Sequence, residues 1–259
     1  MAEIMDAYWH APPFARTLTT AIVATSLSIH ILHVVPISWV YFDLGSVFKF
    51  PPEIWRFATA FFVSSPELGL IMDPYFAYQY LSQLERANTK FSRKEDMLWY
   101  LITVGVFIIT FMRLATGYWA GLYLHGLTIA MCYTAVQDSR GQKSNFFFFN
   151  VPAQAIPYCM LAWSMIASPG LIRLQICGIL SAHLHDFLTR LWPEFGMGPN
   201  LLPTPGFLSL LVQTPRFMKR DYGTAVRPKA GTSGATTGAS TGPVLPDSWK
   251  TRGSGHRLG

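Results

Sequence analysis

The sequence predicts an all-α membrane protein: a bundle of six transmembrane helices followed by a disordered tail. Three observations carry that prediction. Of 259 residues 51% are hydrophobic and only 13% are charged, about half the ~25% charge of an ordinary globular chain, and mean hydropathy is +0.28. The apolar residues come in blocks too long for the core helices of a soluble domain. Charge is also divided unevenly: residues 1–215 carry 12 Lys/Arg and 12 Asp/Glu, residues 216–259 carry 8 and 2, so the whole net charge of +6 lies at the end. A soluble enzyme is excluded. A basic tail beside a bilayer reflects orientation and attraction to anionic lipid, so the basic balance is no argument for nucleic acid.

The first apolar run, about 17 to 39, follows a polar start holding Glu3, Asp6 and His10. It is longer than the h-region of a signal peptide and has no small-residue cleavage site after it, so it reads as a retained first span. A connection rich in Pro and aromatics covers 40 to 66, with Pro51, Pro52, Trp55 and Arg56. It is too apolar for an ordinary wet loop. Further spans are expected at about 67 to 84, 97 to 115, 119 to 136, 152 to 168 and 170 to 191, with sharp turns at Thr116-Gly117 and Ser168-Pro169-Gly170. After Tyr222 the chain becomes a Gly, Ser, Thr and Pro-rich stretch that cannot bury a core, which sets the domain plan: a membrane domain over 1–215 and a disordered basic tail over 216–259.

Cations orient the bundle. Arg16, Arg86, Lys90, Arg93, Lys94, Arg140, Lys143, Arg190 and the eight tail cations fall on one side, against Lys49, Arg56, Arg113 and Arg173 on the other. The positive-inside rule then puts both termini in the cytosol and the 40–66 connection in the opposite compartment.

Catalytic chemistry is only apparent. Gly231-Thr232-Ser233-Gly234 spells the pattern that carries the nucleophile of intramembrane serine proteases, but in a tail that offers no base and no oxyanion site. The fourth span contains His125 and no serine, and no HExxH, carboxylate pair or phosphate-cradling glycine loop occurs. Cys132, Cys159 and Cys177 sit in separate apolar stretches without metal spacing and read as small buried hydrophobes. No metal or cofactor is expected. His30, His33, His125, His183 and His185 are read first as hydrogen-bonding partners between helices, and only second as a metal site or proton relay. Asp186 has two readings: a functional intramembrane acid, or one that snorkels to water one turn before Arg190. Two small-xxx-small patterns, Gly117 with Gly121 and Gly178 with Ala182, would allow close helix approach. Trp55 and Arg56 could also serve simply as an interfacial anchor.

Several ordered stretches resemble the derlins, catalytically dead relatives of the rhomboid proteases. They are Ile54-Trp55-Arg56 followed by Phe57-Ala-Thr-Ala-Phe-Phe, the run from Tyr75 to Glu85, Gly178-Ile-Leu-Ser-Ala182-His183 ahead of Leu191-Trp-Pro193, and the segment from Pro199 to Phe207. The resemblance covers roughly residues 1 to 215. It implies a rhomboid-like bundle of six helices in the endoplasmic reticulum membrane, with no catalytic residues and a part in ER-associated degradation beside a Hrd-type ubiquitin ligase. Trp55 and Arg56 would be the family's first-loop Trp-Arg pair. Gly178 and Ala182 would be its GxxxG pair, with Ala in place of the second Gly. Gly253, Gly255 and Leu258 match the glycine and leucine part of a terminal motif that binds a Cdc48-type AAA ATPase in longer-tailed derlins. Thr251 stands at its aromatic position, with Trp249 two residues earlier.

The expected partners are therefore that ATPase, the ligase complex, misfolded substrates and the lipid bilayer, with self-assembly or pairing with a relative left open. Gln79, Ser82 and Gln83 would form a helix face that lipid solvates poorly, and short spans would thin the membrane. Two other function classes compete: an active intramembrane serine protease, which needs an unrecognised nucleophile, and a small-solute carrier, which should show inverted repeats and broken helices that this sequence lacks.

Overall fold

The structure is a computed structural model that describes residues 2–212 apart from 88–90, 92, 138, 140, 147–148 and 196–197. The terminal motif of Trp249, Gly253, Gly255 and Leu258, the Gly231–Gly234 pattern and the tail as a whole lie outside the described residues.

After a short N-terminal helix, Ala2–His10, come six longer helices: α1 Pro13–His30, α2 Gly69–Ala87, α3 Lys94–Thr116, α4 Leu124–Gln137, α5 Ile156–Ala167 and α6 Ile172–Asp186. They correspond in order to the six apolar blocks of the sequence. Among the described residues α3 is the helix both long and apolar enough to cross a membrane, and Ala153–Ala167 is a shorter apolar helix.

Helix α4 is the axis of the bundle and packs against α2, α3, α5 and α6, while α1 lies against α2. Its buried residues, Leu124, Gly126 to Cys132 and Thr134 to Val136, cover every face. A helix apolar all round is one enclosed on all sides. Tyr100, fully buried on α3, ties α3 to this axis by donating to the Ala130 carbonyl at 3.2 Å and meeting Thr134 Oγ1 at 2.8 Å. In water such a hydrogen bond contributes about 1 kcal/mol net, but a buried hydroxyl left without it costs about 1 to 3.

Several boundaries differ from the sequence expectation. The first block ends its helix at His30 rather than near 39. His33 adopts the left-handed conformation at φ 50°, and the Val34 amide turns back to the Ser28 carbonyl at 3.0 Å. Histidine tolerates that conformation better than most side chains do. The fourth block starts its helix at Leu124 rather than 119. Gly117 stops α3 in the left-handed region at φ 83°, and Ala120–Gly121 (β2) then pairs antiparallel with Phe42–Asp43 (β1). Gly117 and Gly121 therefore do not share a helix, and their GxxxG spacing is coincidental. Nor is the fold purely helical, since Lys143–Phe146 (β3) and Phe149–Pro152 (β4) form a second antiparallel pair. After Asp186 the sixth block continues as a π-helical turn, Phe187–Leu191.

Candidate functional site

The first connection is held by its arginine. Arg56 opens a one-turn helix, Arg56–Thr59, and is only 7% exposed. Its Nη1 donates to the carbonyls of Ser38 and Tyr41, each at 2.6 Å, and its Nε and Nη2 pair with the Glu53 carboxylate. A guanidinium presents several donors in a fixed planar fork, so one side chain can close three points of a loop at once. Trp55 does the opposite with its ring: Nε1 donates to the Trp39 carbonyl at 3.3 Å while half of the side chain stays exposed. The anchor reading took both side chains outward, but only Trp55 is exposed; Arg56 is turned inward as a clamp on the connection. Along the same stretch of chain Val34, Trp39, Phe48, Phe50, Ile54 and Leu68 are all exposed. Exposed large apolar side chains in such number suit lipid rather than water.

Gly178 meets α4, and its partner is a glycine the sequence reading passed over. A Cβ at Gly178 would lie 2.3 Å from the Gly126 carbonyl oxygen and 2.7 Å from Ile129 Cγ2. Only a hydrogen fits. Ala182, one turn on, is buried. The small pair on α6 therefore brings it against Gly126 on α4, the close approach that membrane helices use in place of a hydrophobic driving force.

On α2 the three polar residues do not share one surface. Ser82 is 7% exposed, inside the bundle, while Gln79 and Gln83 are half-buried. The adjacent Glu85 has a role unforeseen from sequence: its carboxylate accepts from the Phe14 and Ala15 amides at 3.1 Å, capping the start of α1 from another helix. A negative charge there answers both the orphan amides and the helix dipole.

His125 does have a serine beside it. Ser65 Oγ, from the connection before α2, is 3.2 Å from His125 Nε2, and Asp73 Oδ2 is 3.2 Å from the same nitrogen. The Ser65 amide also donates to Asp73 Oδ2 at 2.9 Å. A serine-hydrolase triad separates these roles, with the acid on Nδ1 and the nucleophile on Nε2. Here acid and hydroxyl compete for one nitrogen, so a proton that Nε2 donates to Asp73 keeps the nitrogen from acting as base toward Ser65. The arrangement is a bracket tying the connection to the first turns of α2 and α4.

Two other histidines, His30 and His183, make hydrogen bonds. His30 Nε2 meets the Ser64 carbonyl at 3.0 Å, and His183 Nδ1 meets Tyr133 Oη at 3.3 Å across α6 and α4. The ring of His185 stands edge-on to Tyr100 with centroids 5.0 Å apart. Asp186 is 7% exposed and pairs with Arg190 at 3.1 Å, so it does not reach for open water. Among the described residues no three His, Cys, Asp or Glu side chains gather as a metal site. Cys132 and Cys177 are buried and all three cysteines are free.

The segment after α6 folds back on α3. Trp99 Nε1 donates to the Leu202 carbonyl at 3.3 Å, and Thr204 Oγ1 donates to Asp96 Oδ1 at 2.7 Å. The span from the start of α1 to this segment coincides with a match to the model of the Der1-like family over residues 11–206. The chain belongs to the Der1-like family. This is a family of ER membrane proteins, rhomboid-like and non-catalytic, and membership carries a role related to ER-associated degradation. Among curated relatives, a probable derlin-1 homolog of Dictyostelium discoideum is 24% identical over 81% of this chain and 87% of its own length. Derlin-1 of Mus musculus is 28% identical over 80% of this chain and 82% of its own, and Derlin-1 of Arabidopsis thaliana is 25% identical over 82% and 78%.

Proposed function

We propose that this chain assists, without catalysis of its own, the passage of misfolded proteins from the ER to the cytosol by thinning the bilayer around it. The six helices span the membrane with both termini cytosolic, and the 40–66 connection is partly embedded in the opposite leaflet. The tail recruits a Cdc48-type ATPase through Trp249, Gly253, Gly255 and Leu258, beside a Hrd-type ligase.

The observation that carries this proposal is the length of α5. With the 3-10 turn before it, the apolar helix Ala153–Ala167 reaches about 24 Å, against roughly 30 Å of hydrocarbon. Its Tyr158, Trp163, Met165 and Ile166 are exposed, so lipid meets this short helix directly. Helix α4 is also short at 14 residues, but protein surrounds it and lipid does not sense its length. A bilayer that shortens to match α5 offers a thinner barrier, and each unsatisfied backbone group of a passing substrate costs several kcal/mol in intact hydrocarbon. The half-buried Gln79 and Gln83 add polar surface on α2.

The test is a degradation chase of a misfolded ER membrane protein in cells lacking this chain. Wild type is expected to restore decay; Trp55→Ala with Arg56→Ala, Gln79→Leu with Gln83→Leu, and truncation after Asp247 are each expected to restore it less. Equal decay with and without the protein would sink the proposal. Hydrolysis is kept as a second reading by the Ser65 to His125 contact alone. Fluorophosphonate labelling that disappears in Ser65→Ala would favour it.

A further inference from the structure

A cavity of about 360 Å3 opens where the start of α1, the end of α2 and the start of α3 come together. That volume is at the small end of ligand pockets, which run from about 300 to 1,000 Å3. Phe14, Phe91 and Met97 form its apolar part, and Arg93, Lys94 and Glu85 supply the charged groups. Both cations are exposed, and among the described residues neither side chain meets a hydrogen-bond or ion-pair partner. Glu85 does not neutralise them. Its two carboxylate oxygens are turned to α1, where Oε1 accepts from the Phe14 amide at 3.3 Å and Oε2 from the Phe14 and Ala15 amides at 3.1 Å.

Helix α3 adds charge of the same sign. It opens at Lys94, its N-cap residue Arg93 provides no side-chain cap, and Lys94 and Met97 of its first turn line the cavity. A helix start carries partial positive charge and amides without an intrahelical acceptor. The acids of that turn, Glu95 and Asp96, are not part of this lining, and Asp96 accepts from Thr204 of the folded-back segment. A guanidinium and an ammonium with no anion of their own, beside a helix start, select an oxyanion, and phosphate takes charge-assisted hydrogen bonds from both. The apolar part leaves room for the group that the phosphate is attached to.

We infer that this cavity binds a phosphate group, carried by the headgroup of an acidic phospholipid or by a soluble phosphate ester. The phosphate oxygens meet Arg93, Lys94 and the first turn of α3, and the esterified group rests against Phe14, Phe91 and Met97. The site stands or falls apart from substrate transport.

The full chain, purified in a neutral detergent, is mixed in turn with phosphatidic acid, phosphatidylcholine and glycerol 3-phosphate, and retained ligand is read by native mass spectrometry. Phosphatidylcholine is expected to be retained several-fold less than phosphatidic acid, because its choline sets a further cation beside Arg93 and Lys94. Arg93→Gln with Lys94→Gln is expected to lower retention of the phosphate ligand about tenfold. The control is Arg86→Gln with Lys143→Gln, which removes two exposed cations that do not line the cavity and should retain ligand as wild type does. Retention of phosphatidic acid alone assigns the lipid headgroup, and retention of glycerol 3-phosphate as well assigns the phosphate ester whatever carries it. Equal retention of phosphatidylcholine, unchanged retention in Arg93→Gln with Lys94→Gln, equal loss in the control, or retention of neither phosphatidic acid nor glycerol 3-phosphate would each overturn the inference.

Discussion

Helix α4 and the connection from Ile31 to Pro66 are about equally apolar in sequence, yet α4 is enclosed throughout and the connection is buried in part and bare in part. In α4 nearly every side chain is inside protein, down to Ile129, Ala130, Met131 and Cys132 at zero exposure. In the connection Val34 is 73% exposed, Phe48 79% and Phe50 94%. Apolar composition therefore marks two different settings here, a packed interior and an exposed surface. The connection is held by Arg56 and by the buried Phe42, Val47 and Phe61, while other large side chains such as Phe48 and Phe50 stay exposed.

The largest expected effect breaks the interior side of that contrast. Gly178→Ala puts a methyl group against the Gly126 carbonyl and is expected to cost about 3 kcal/mol, the upper end of ordinary overpacking, read as a lower melting temperature in detergent; Gly178→Leu should yield no folded protein. If Gly178→Ala melts like wild type, α4 and α6 are not in close contact. Arg56→Ala comes next. It leaves the Ser38 and Tyr41 carbonyls without their donor, at about 2 kcal/mol, and the loss should be local. Proteolysis should quicken within 36–56 while the bundle melts as before, and a uniform drop in melting would show that Arg56 holds the whole bundle and not the connection alone.

Glu85→Gln removes the charge at the start of α1 and is expected to cost about 1 kcal/mol, seen as faster hydrogen exchange at Phe14 and Ala15. On the lipid side Phe50→Ser should change stability by less than about 0.5 kcal/mol, while Trp39, as the single remaining tryptophan, should be quenched by brominated lipid. Stability loss with no quenching would place the connection in protein or water. The smallest effect belongs to Asp43, whose carboxylate accepts from the Ser46 hydroxyl at 2.9 Å and amide at 3.0 Å. The Ser46 hydroxyl, foremost, holds its pKa below the usual 3.8. A depressed carboxyl pKa stabilises the fold above the unfolded value and loses that stability as pH falls through the folded one. Asp43→Asn should therefore be slightly less stable than wild type at neutral pH, and the gap should close below about pH 4.

The six apolar blocks were legible because lipid and a protein interior both demand apolar side chains over helical lengths. Their ends were less so. The stop at His30 depends on a left-handed His33, and the start at Leu124 on a strand pairing with residues some 78 positions earlier, neither of which leaves a mark in hydropathy. Ser65 is not legible as the neighbour of His125, because 60 residues separate the two and no serine lies within the fourth span itself. Glu85 was one charge among several at a helix end. Nothing near it in sequence points to the amides of Phe14 and Ala15.

By itself the sequence determined the membrane class, the order of six helical segments, the neutral body with its basic tail, and the resemblance that the family match bears out. Those are properties of composition and of local period, which a single segment carries alone. Tertiary structure decided which apolar segment is enclosed and which is bare in part, that Gly178 rests on Gly126, that Arg56 turns inward, and that acid and serine share one nitrogen of His125. Each of these is a meeting of groups distant in the chain, and their energies come from close packing and from satisfying buried polar atoms, which exist only once the helices are together.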